Sequence, residues 1–196
     1  MKKFGWPSEN RLKIINKFLL VFILATNGYV VILPVLPKAD FAIKQHITKP
    51  VKIKPNDDSI KNIDRSQNHL ILPTIQLDEP IFVSDNPSTV HKGIWHRPNT
   101  NLPDMFGNTV LVGHRFTYAG AAVFYNLDKL RVNDDVYLVF NQKIYHYRVK
   151  ESSIVSPTAV DVEAPSEITK LTIYTCTPLL TAKDRLVYVS ELKEVL

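Results

Sequence analysis

Hydrophobic residues are distributed unevenly along this chain, with one long run near the start and a series of short runs after residue 68. The long run, residues 18–37, has twenty positions without a charge, which is about the length that a helix needs to cross the hydrocarbon core of a membrane. Thr26, Asn27, Gly28 and Pro34 weaken the pattern without adding a charge. It predicts a transmembrane helix over residues 18–37.

Two other interpretations of the long run are less favourable. A cleaved signal peptide needs small residues around its cleavage site, and Leu36-Pro-Lys-Ala39 followed by Asp40 is a poor match. A buried core helix is disfavoured by Asn27 and Gly28 in the middle of the run and by the polar stretch after it. We therefore expect an uncleaved signal anchor.

The segment that follows, residues 38–68, is rich in Lys, Asp, Asn, Pro and Gln, and its apolar residues are scattered. Within it, the stretch 49–55 carries two prolines, which favour an extended chain over a helix. This composition predicts a linker that holds a domain away from a membrane surface.

Short apolar runs that alternate with turn residues begin near His69 and predict an all-β domain over residues 69–196. Turns are expected at Asp78–Pro80 and Asn141–Gln142, and one or two short helices at Asn86–Thr89 and Ala121–Leu130. About eight short strands at this spacing indicate an antiparallel sandwich or barrel, and the spacing does not distinguish the two. The predicted strands are Leu70–Leu72, Ile81–Val83, Thr109–Val112, Val136–Phe140, Lys143–Val149, Ile154–Val155, Leu171–Thr175 and Leu186–Val189.

Positive charge is concentrated ahead of the long run. The chain has 24 Lys and Arg residues and 19 Asp and Glu residues. The first 17 positions hold five of the basic residues and one of the acidic residues, so the rest of the chain has 19 basic and 18 acidic residues. By the positive-inside rule, residues 1–17 are predicted to be a cytoplasmic tail and the domain to lie outside the cell membrane after a single pass. The near balance of the remaining charges gives no indication of a nucleic-acid-binding surface.

Cys176 is the one cysteine of the chain, so no intramolecular disulfide can form. It follows the β-branched and aromatic run Thr172–Thr175 and precedes Pro178, which places the thiol where a strand ends and a loop begins. Rigid supports of this kind often carry nucleophiles. A buried structural thiol remains the other interpretation. The chain has no CxxC or HExxH motif for zinc.

His114 and Arg185 also fall at predicted strand ends, which makes them candidate partners of the thiol. His114 follows the strand Thr109–Val112, and Arg185 would lie beside Cys176 if the two strands after residue 170 pair. Nearby cations lower the pKa of a thiol, imidazole can protonate a leaving amine, and guanidinium can stabilise an oxyanion. The three residue types together predict covalent acyl transfer.

Other cations and histidines compete for these roles. Arg115 is adjacent to His114, but strand pairing favours Arg185. His91 and His96 flank Trp95 and could line a groove, but an ordinary surface role is favoured. His146 lies within a strand and is expected to face solvent or to form a hydrogen bond.

The pattern resembles the sortase family, membrane-anchored cysteine transpeptidases found mainly on Gram-positive bacterial surfaces. The family's TLxTC strand is matched by Thr172-Ile-Tyr-Thr-Cys176, and its histidine after a strand and a small residue by Val112-Gly-His114. Arg185 stands nine residues after the cysteine, as the family arginine does. Residues 124–135 resemble the family segment F-x-x-L-x-x-L-x-x-G-D, apart from its glycine.

This resemblance implies an eight-stranded β-barrel and a two-step transpeptidation. Cys176 would attack a threonyl carbonyl in an LPxTG-like or LAxTG-like sorting signal, and an amine of a peptidoglycan precursor or a pilin lysine would release the thioacyl-enzyme. His114 would serve as acid and then as base, Arg185 would hold the oxyanion, and Thr175 would help to shape the substrate groove. The mechanism requires no metal or other cofactor.

The sortase class stays open. The segment 156–169 is too short for the extra helix of class B, no Asp-Pro-aromatic lid motif precedes the domain as in class C, and Cys176-Thr-Pro178 is closer to classes D and E than to A. Class A binds calcium through acidic residues of two loops. Here those loops would offer Asp104 on one side and Glu163 and Glu167 on the other.

Two functions of other kinds remain open at the level of the sequence. One is another cysteine enzyme of the cell wall, an L,D-transpeptidase, although its SxGCxR motif is absent. The second is a catalytically inert, membrane-tethered β-barrel that binds a ligand, with Cys176 buried.

Overall fold

The computed structural model describes residues 9–33, 35–36, 39, 43, 63–117 and 120–196. The chain divides into two compact units, residues 1–47 and 48–196. Much of the predicted tail and most of the predicted linker therefore lie outside the described residues.

Helix α1, Glu9–Ile32, lies in the first unit. It is 24 residues long and contains an 18-residue stretch with a mean hydropathy of 1.8, so by length and composition it can cross a membrane. It overlaps the predicted span 18–37 and begins upstream of it, in the predicted tail. The structure therefore contains a candidate membrane anchor.

Among the described residues, the second unit contains ten strands. In chain order they are β1 His69–Leu72, β2 Leu77–Val83, β3 Ile94–His96, β4 Asn108–Val112, β5 Phe116–Thr117, β6 Gly120–Ala121, β7 Asp135–Phe140, β8 Lys143–Val155, β9 Lys170–Thr177 and β10 Asp184–Val195. Eight of them form one closed barrel in the order β1-β2-β3-β4-β9-β10-β8-β7, which confirms the predicted all-β barrel. A separate two-stranded sheet, β5 with β6, follows β4.

Pairing in the barrel is mixed, whereas the sequence predicts an antiparallel arrangement. Strand β2 pairs with β3, and β4 with β9, in parallel. The predicted hairpin at Asn141–Gln142 is confirmed, and both of its residues have the positive φ that a tight hairpin turn requires. The predicted short helix near residue 87 is confirmed as the 3₁₀ helix Pro87–His91, which Asn86 caps through the amide of Ser88.

Two local predictions are wrong. Asp78–Pro80 lies inside β2, since the chain reverses earlier, through the 3₁₀ helix Pro73–Ile75 and Gln76 with φ 53°. Ala121–Leu130 is not a regular helix: turns lead to the 3₁₀ helix Leu127–Lys129, with hydrogen bonds that span three residues. The apolar residues of this segment pack into the core instead, since Phe124 and Leu127 are fully buried.

The barrel interior is filled by alternate residues of neighbouring strands, as the two-residue period of a strand requires. The largest fully buried side chains include Leu70, Leu72, Ile94, Leu111, Leu138, Ile144, Tyr147, Leu171 and Ile173.

His146 on β8 is also buried. The sequence predicts that it faces solvent or forms a hydrogen bond, and in the structure it lies between the carboxylates of Asp135 and Glu194 and stacks on Tyr137.

His96 on β3 predicts how stability depends on pH. The surface role that the sequence favours for His96 is wrong, because the side chain is buried and its Nε2 lies 3.1 Å from the carbonyl oxygen of Asn101. Burial lowers the pKa of His96 below the ordinary value, although the bond to Asn101 opposes the shift. The unfolded chain therefore binds the proton first, and stability is lost as the pH falls from about 6.5 through the folded-state pKa.

We expect the free energy of unfolding to fall by up to about 1.4 kcal/mol per pH unit from this group over that window. Urea unfolding at pH 7.5 and 5.5 measures the change. The variant His96→Gln keeps a side-chain N–H donor and does not titrate, so its decrease should be smaller than that of the wild type. Equal decreases in the two proteins would contradict the assignment.

Candidate active site

Strand pairing places Cys176 and Arg185 side by side. They are direct partners in the antiparallel pair of β9 and β10, so both side chains project from the same face of the sheet. Cys176 is half-buried with a free thiol. The guanidinium of Arg185 donates to the carbonyl oxygens of Ala182 and Asp184, both through Nη1. Within the described part of the chain, Nε and Nη2 therefore remain for a ligand.

The parallel pair of β4 and β9 brings His114 to the same place. Val112, the last residue of β4, is the partner of Tyr174. Two residues further on, the chain reaches His114 just beyond β4 and Cys176 within β9. The position between Val112 and His114 requires glycine, because a Cβ atom on Gly113 would lie 2.8 Å from Cδ2 of Phe124. One groove is lined by the side chains of His114, Cys176 and Arg185 together.

Thr175 fixes this geometry through its hydroxyl group. The side chain is buried and donates a 2.8 Å hydrogen bond to the carbonyl oxygen of Gly113, which joins β9 to the chain just before His114. Thr175 also lines the groove, but its hydroxyl proton is already used. Its contact with a substrate stays a prediction, and the structure gives it a positioning role.

Arg115 has a different role from Arg185. It is buried, and Nη2 contacts the carboxylate of Asp128 at 2.8 Å while Nη1 donates to Thr177 Oγ1 at 3.0 Å. A third bond runs from Nε to the carbonyl oxygen of Tyr125. These partners use the Arg115 guanidinium, and Arg115 is not among the residues that line the groove.

His114 is itself contacted by a second histidine. Its Nε2 lies 3.1 Å from Nδ1 of His91, and the two rings stack with centroids 4.9 Å apart. Partial burial, and then the charge of His91, lower the pKa of His114 below the ordinary value. The sequence favours a surface role for His91. No local pattern predicts its contact with His114, because the two residues lie 23 positions apart.

A charged cluster on the groove joins the segment 156–169 to the barrel. Arg97 donates to both carboxylate oxygens of Glu163, at 2.8 and 3.1 Å, and lies 5.0 Å over the ring of Trp95. The hydroxyl of Tyr174 donates to the same carboxylate at 2.6 Å. Burial, followed by this bond, raises the pKa of Tyr174, so the phenol stays protonated. Arg97, Trp95 and Tyr174 all line the groove.

Two of the three carboxylates considered for calcium, those of Asp104 and Glu163, are bonded to other groups. The carboxylate of Glu163 is bonded to Arg97, and that of Asp104 accepts a bond from the amide of Asn141. Among the described residues, no group of three or more His, Cys, Asp and Glu side chains is placed to hold a metal ion.

Loss of the Glu163 carboxylate is expected to loosen the segment 156–169. We predict that Glu163→Gln, which removes the charge and keeps the shape, lowers the free energy of unfolding by about 1–2 kcal/mol. It should also speed amide hydrogen exchange in residues 156–169, measured by mass spectrometry. Glu167→Gln is the matched control, because Glu167 is exposed in the same segment. Equal rates of amide exchange in the two variants would contradict the prediction that the Glu163 carboxylate holds residues 156–169 to the barrel.

Comparisons with known proteins identify the same part of the chain. A family model described as Sortase domain matches residues 70–193. Sortase A of Bacillus anthracis is 24% identical over 133 residues, which is 67% of this chain and 62% of that protein, so the chain spans less than two thirds of this relative. A sortase C of Clostridium perfringens is 26% identical with a TM-score of 0.56, over 70% of this chain and 76% of that one. A sortase D5 transpeptidase of Clostridium perfringens shares the fold with a TM-score of 0.59 and 23% identity, over 80% and 95% of the chains.

Proposed function

The chain belongs to the sortase family of cysteine transpeptidases, and we propose that it transfers surface proteins to a cell-envelope amine with Cys176 as nucleophile. The observation that carries the proposal is the strand register. Cys176 is the direct partner of Arg185 on β10, and the parallel pairing with β4 leads His114 to the same groove. A thiol with an imidazole and a guanidinium beside it can form and resolve an acyl intermediate.

In the first step the Cys176 thiolate attacks the carbonyl carbon of threonine in the Thr-Gly bond. A carbon–sulfur bond forms, and the carbonyl electron pair moves to oxygen. Collapse of this tetrahedral intermediate breaks the carbon–nitrogen bond, and protonated His114 gives its proton to the departing glycine amine. The product is a thioester between threonine and Cys176.

In the second step an amine attacks the thioester carbonyl. Neutral His114 takes a proton from the attacking nitrogen, the new amide bond forms, and the carbon–sulfur bond breaks to return the thiolate. The guanidinium of Arg185 faces the charge that develops on the carbonyl oxygen in both steps, because it lies on the same face of the sheet as the sulfur.

One wall of the groove supports an LPxTG-like or LAxTG-like sorting signal as the proposed substrate. Pro87, Val90, Trp95 and Val112 give it an apolar wall that suits a leucine and a proline or alanine. The proposed acceptor is an amine of a peptidoglycan precursor or a lysine of a pilin. A class D or E assignment is proposed on the Cys-Thr-Pro sequence at Cys176 alone.

Membrane attachment through helix α1 fits this activity. The helix is long and apolar enough to cross a bilayer, and basic residues are concentrated at and before its start. We infer a single pass with a cytoplasmic N-terminus and the domain of residues 69–196 outside the membrane, joined by a linker over residues 38–68. This arrangement would present the groove to substrates at the cell surface.

A transpeptidation assay on the full chain in detergent micelles tests the proposal. LPxTG and LAxTG peptides would be incubated with triglycine or a lysine-containing pilin peptide, and products separated by mass spectrometry. We expect a product in which the peptide up to threonine is joined to the added amine. No product from any peptide, with a thiol that resists alkylation under native conditions, would instead support an inert ligand-binding barrel.

A further inference from the structure

The contact between His91 and His114 has a consequence for proton transfer. His91 ends the 3₁₀ helix Pro87–His91, whose start is capped by Asn86. Two other residues of this helix, Pro87 and Val90, line the groove. The helix therefore holds the His91 ring against His114 at 3.1 Å between Nδ1 and Nε2, with an interplanar angle of 27°.

A hydrogen bond between two imidazoles allows few protonation states. One nitrogen of the pair must carry the shared hydrogen and the other must accept it. When His114 is protonated it holds hydrogens on both nitrogens, so Nε2 donates and His91 must be neutral to accept at Nδ1. In this state Nδ1 of His114 is the nitrogen with a hydrogen to give away.

We propose that His91 is a positioning residue for the acyl-transfer reaction. Its Nδ1 accepts a hydrogen bond from Nε2 of His114, so that Nδ1 of His114 is the nitrogen that exchanges a proton with the substrate. This inference rests on the proposed transpeptidase function. His91 touches no reacting atom, so it acts through the orientation and hydrogen positions of the His114 ring.

The charges around the pair fit a neutral His91. The titratable and charged groups that line the groove with His114 are Tyr174 and Cys176 on β9, Arg185 on β10 and Arg97 after β3. Arg97 is paired with Glu163, so a positive charge at His91 would add chiefly to that of Arg185. Arg115, next in the chain, is held by Asp128. A positive charge on His91 lowers the pKa of His114. Protonation of His91 would therefore break the hydrogen bond and also reduce the fraction of His114 that is protonated and can act as the acid.

Three variants of the full chain in micelles test the proposal. His91→Phe keeps a ring for stacking and removes the acceptor. His91→Asn places an amide oxygen near the position of Nδ1 and does not titrate. Lys92→Ala is the matched control, since Lys92 is the next residue, exposed and outside the groove lining.

We expect His91→Phe to lower kcat/KM about 10- to 100-fold, by analogy with the loss of a group that orients a metal-ligating histidine, with KM little changed. His91→Asn should restore most of this loss and retain activity at a lower pH than the wild type. Lys92→Ala should match the wild type. A His91→Phe enzyme with wild-type kcat/KM, or no rescue by asparagine, would overturn the proposal.

Nitrogen-15 NMR of the histidine rings gives a second readout that needs no substrate. With the His114 signals assigned by His114→Gln, neutral wild-type His114 should carry its hydrogen on Nε2, and its pKa should rise in His91→Asn. A hydrogen on Nδ1 in the neutral wild type would overturn the proposal even if a variant failed to fold. A wild type inactive on every peptide would overturn the proposed function, whereas the nitrogen shifts would still report on the His91–His114 bond.

Discussion

Replacement of Cys176 by alanine is expected to abolish transpeptidation, with kcat reduced roughly 10⁴- to 10⁶-fold or below detection. The thiolate forms the covalent intermediate, and the residues that line the groove with it, His114 and two arginines among them, offer no nucleophile of similar reactivity. The rate of product formation from a sorting peptide and triglycine measures the effect.

The comparison requires that the Cys176→Ala protein is folded. Cys176 is half-buried at the end of β9, and alanine leaves the strand pairing intact, so the thermal unfolding midpoint should remain close to that of the wild type. A folded alanine variant that retains more than about one hundredth of the wild-type rate would show that the nucleophile lies elsewhere.

The second large effect is expected at Arg185. We predict that Arg185→Ala lowers kcat about 10²- to 10³-fold, the cost of removing a donor that faces a developing oxyanion. Arg185→Lys should recover only part of the loss, because an ammonium group lacks the forked geometry of guanidinium. Stability should change little, since the bonds of Arg185 in the structure are to the carbonyls of its own turn.

Arg115 provides the matched comparison for this prediction. It is also an arginine close to the site, but it is buried and bonded to Asp128, Thr177 and Tyr125. Arg115→Met should therefore lower the free energy of unfolding by about 1–3 kcal/mol. Steady-state kinetics and urea unfolding on both variants separate the roles. An Arg185→Ala enzyme with wild-type kcat, beside an inactive but stable Arg115→Met, would reverse the assignment.

The candidate site was predictable because its residues lie at the ends of strands with clear sequence patterns. The β-branched run before Cys176 and the apolar runs before His114 and after Arg185 each indicate a strand on local grounds. The structure then brings all three into one groove through two strand pairings. The closed barrel required more than spacing, and followed from the resemblance to a family.

Features that depend on distant contacts were not predictable. Strand β3 has three residues, too few for a periodic pattern, and its burial comes from its neighbours β2 and β4. The segment after residue 121 has helical spacing, but tertiary packing favours turns there. The contacts of His91 with His114, and of Arg97 with Glu163, join residues 23 and 66 positions apart, so no local motif reveals them.

The most direct test of the central claim is the intact mass of the full chain in micelles after incubation with an LPxTG peptide and no added amine. The account predicts a mass increase equal to the peptide up to threonine, present in the wild type and absent in Cys176→Ala. The adduct should disappear when triglycine is added, since the amine resolves the thioester. An adduct of equal mass on Cys176→Ala, or a thiol that alkylates readily but never acquires the peptide, would contradict the claim that Cys176 forms a thioacyl-enzyme.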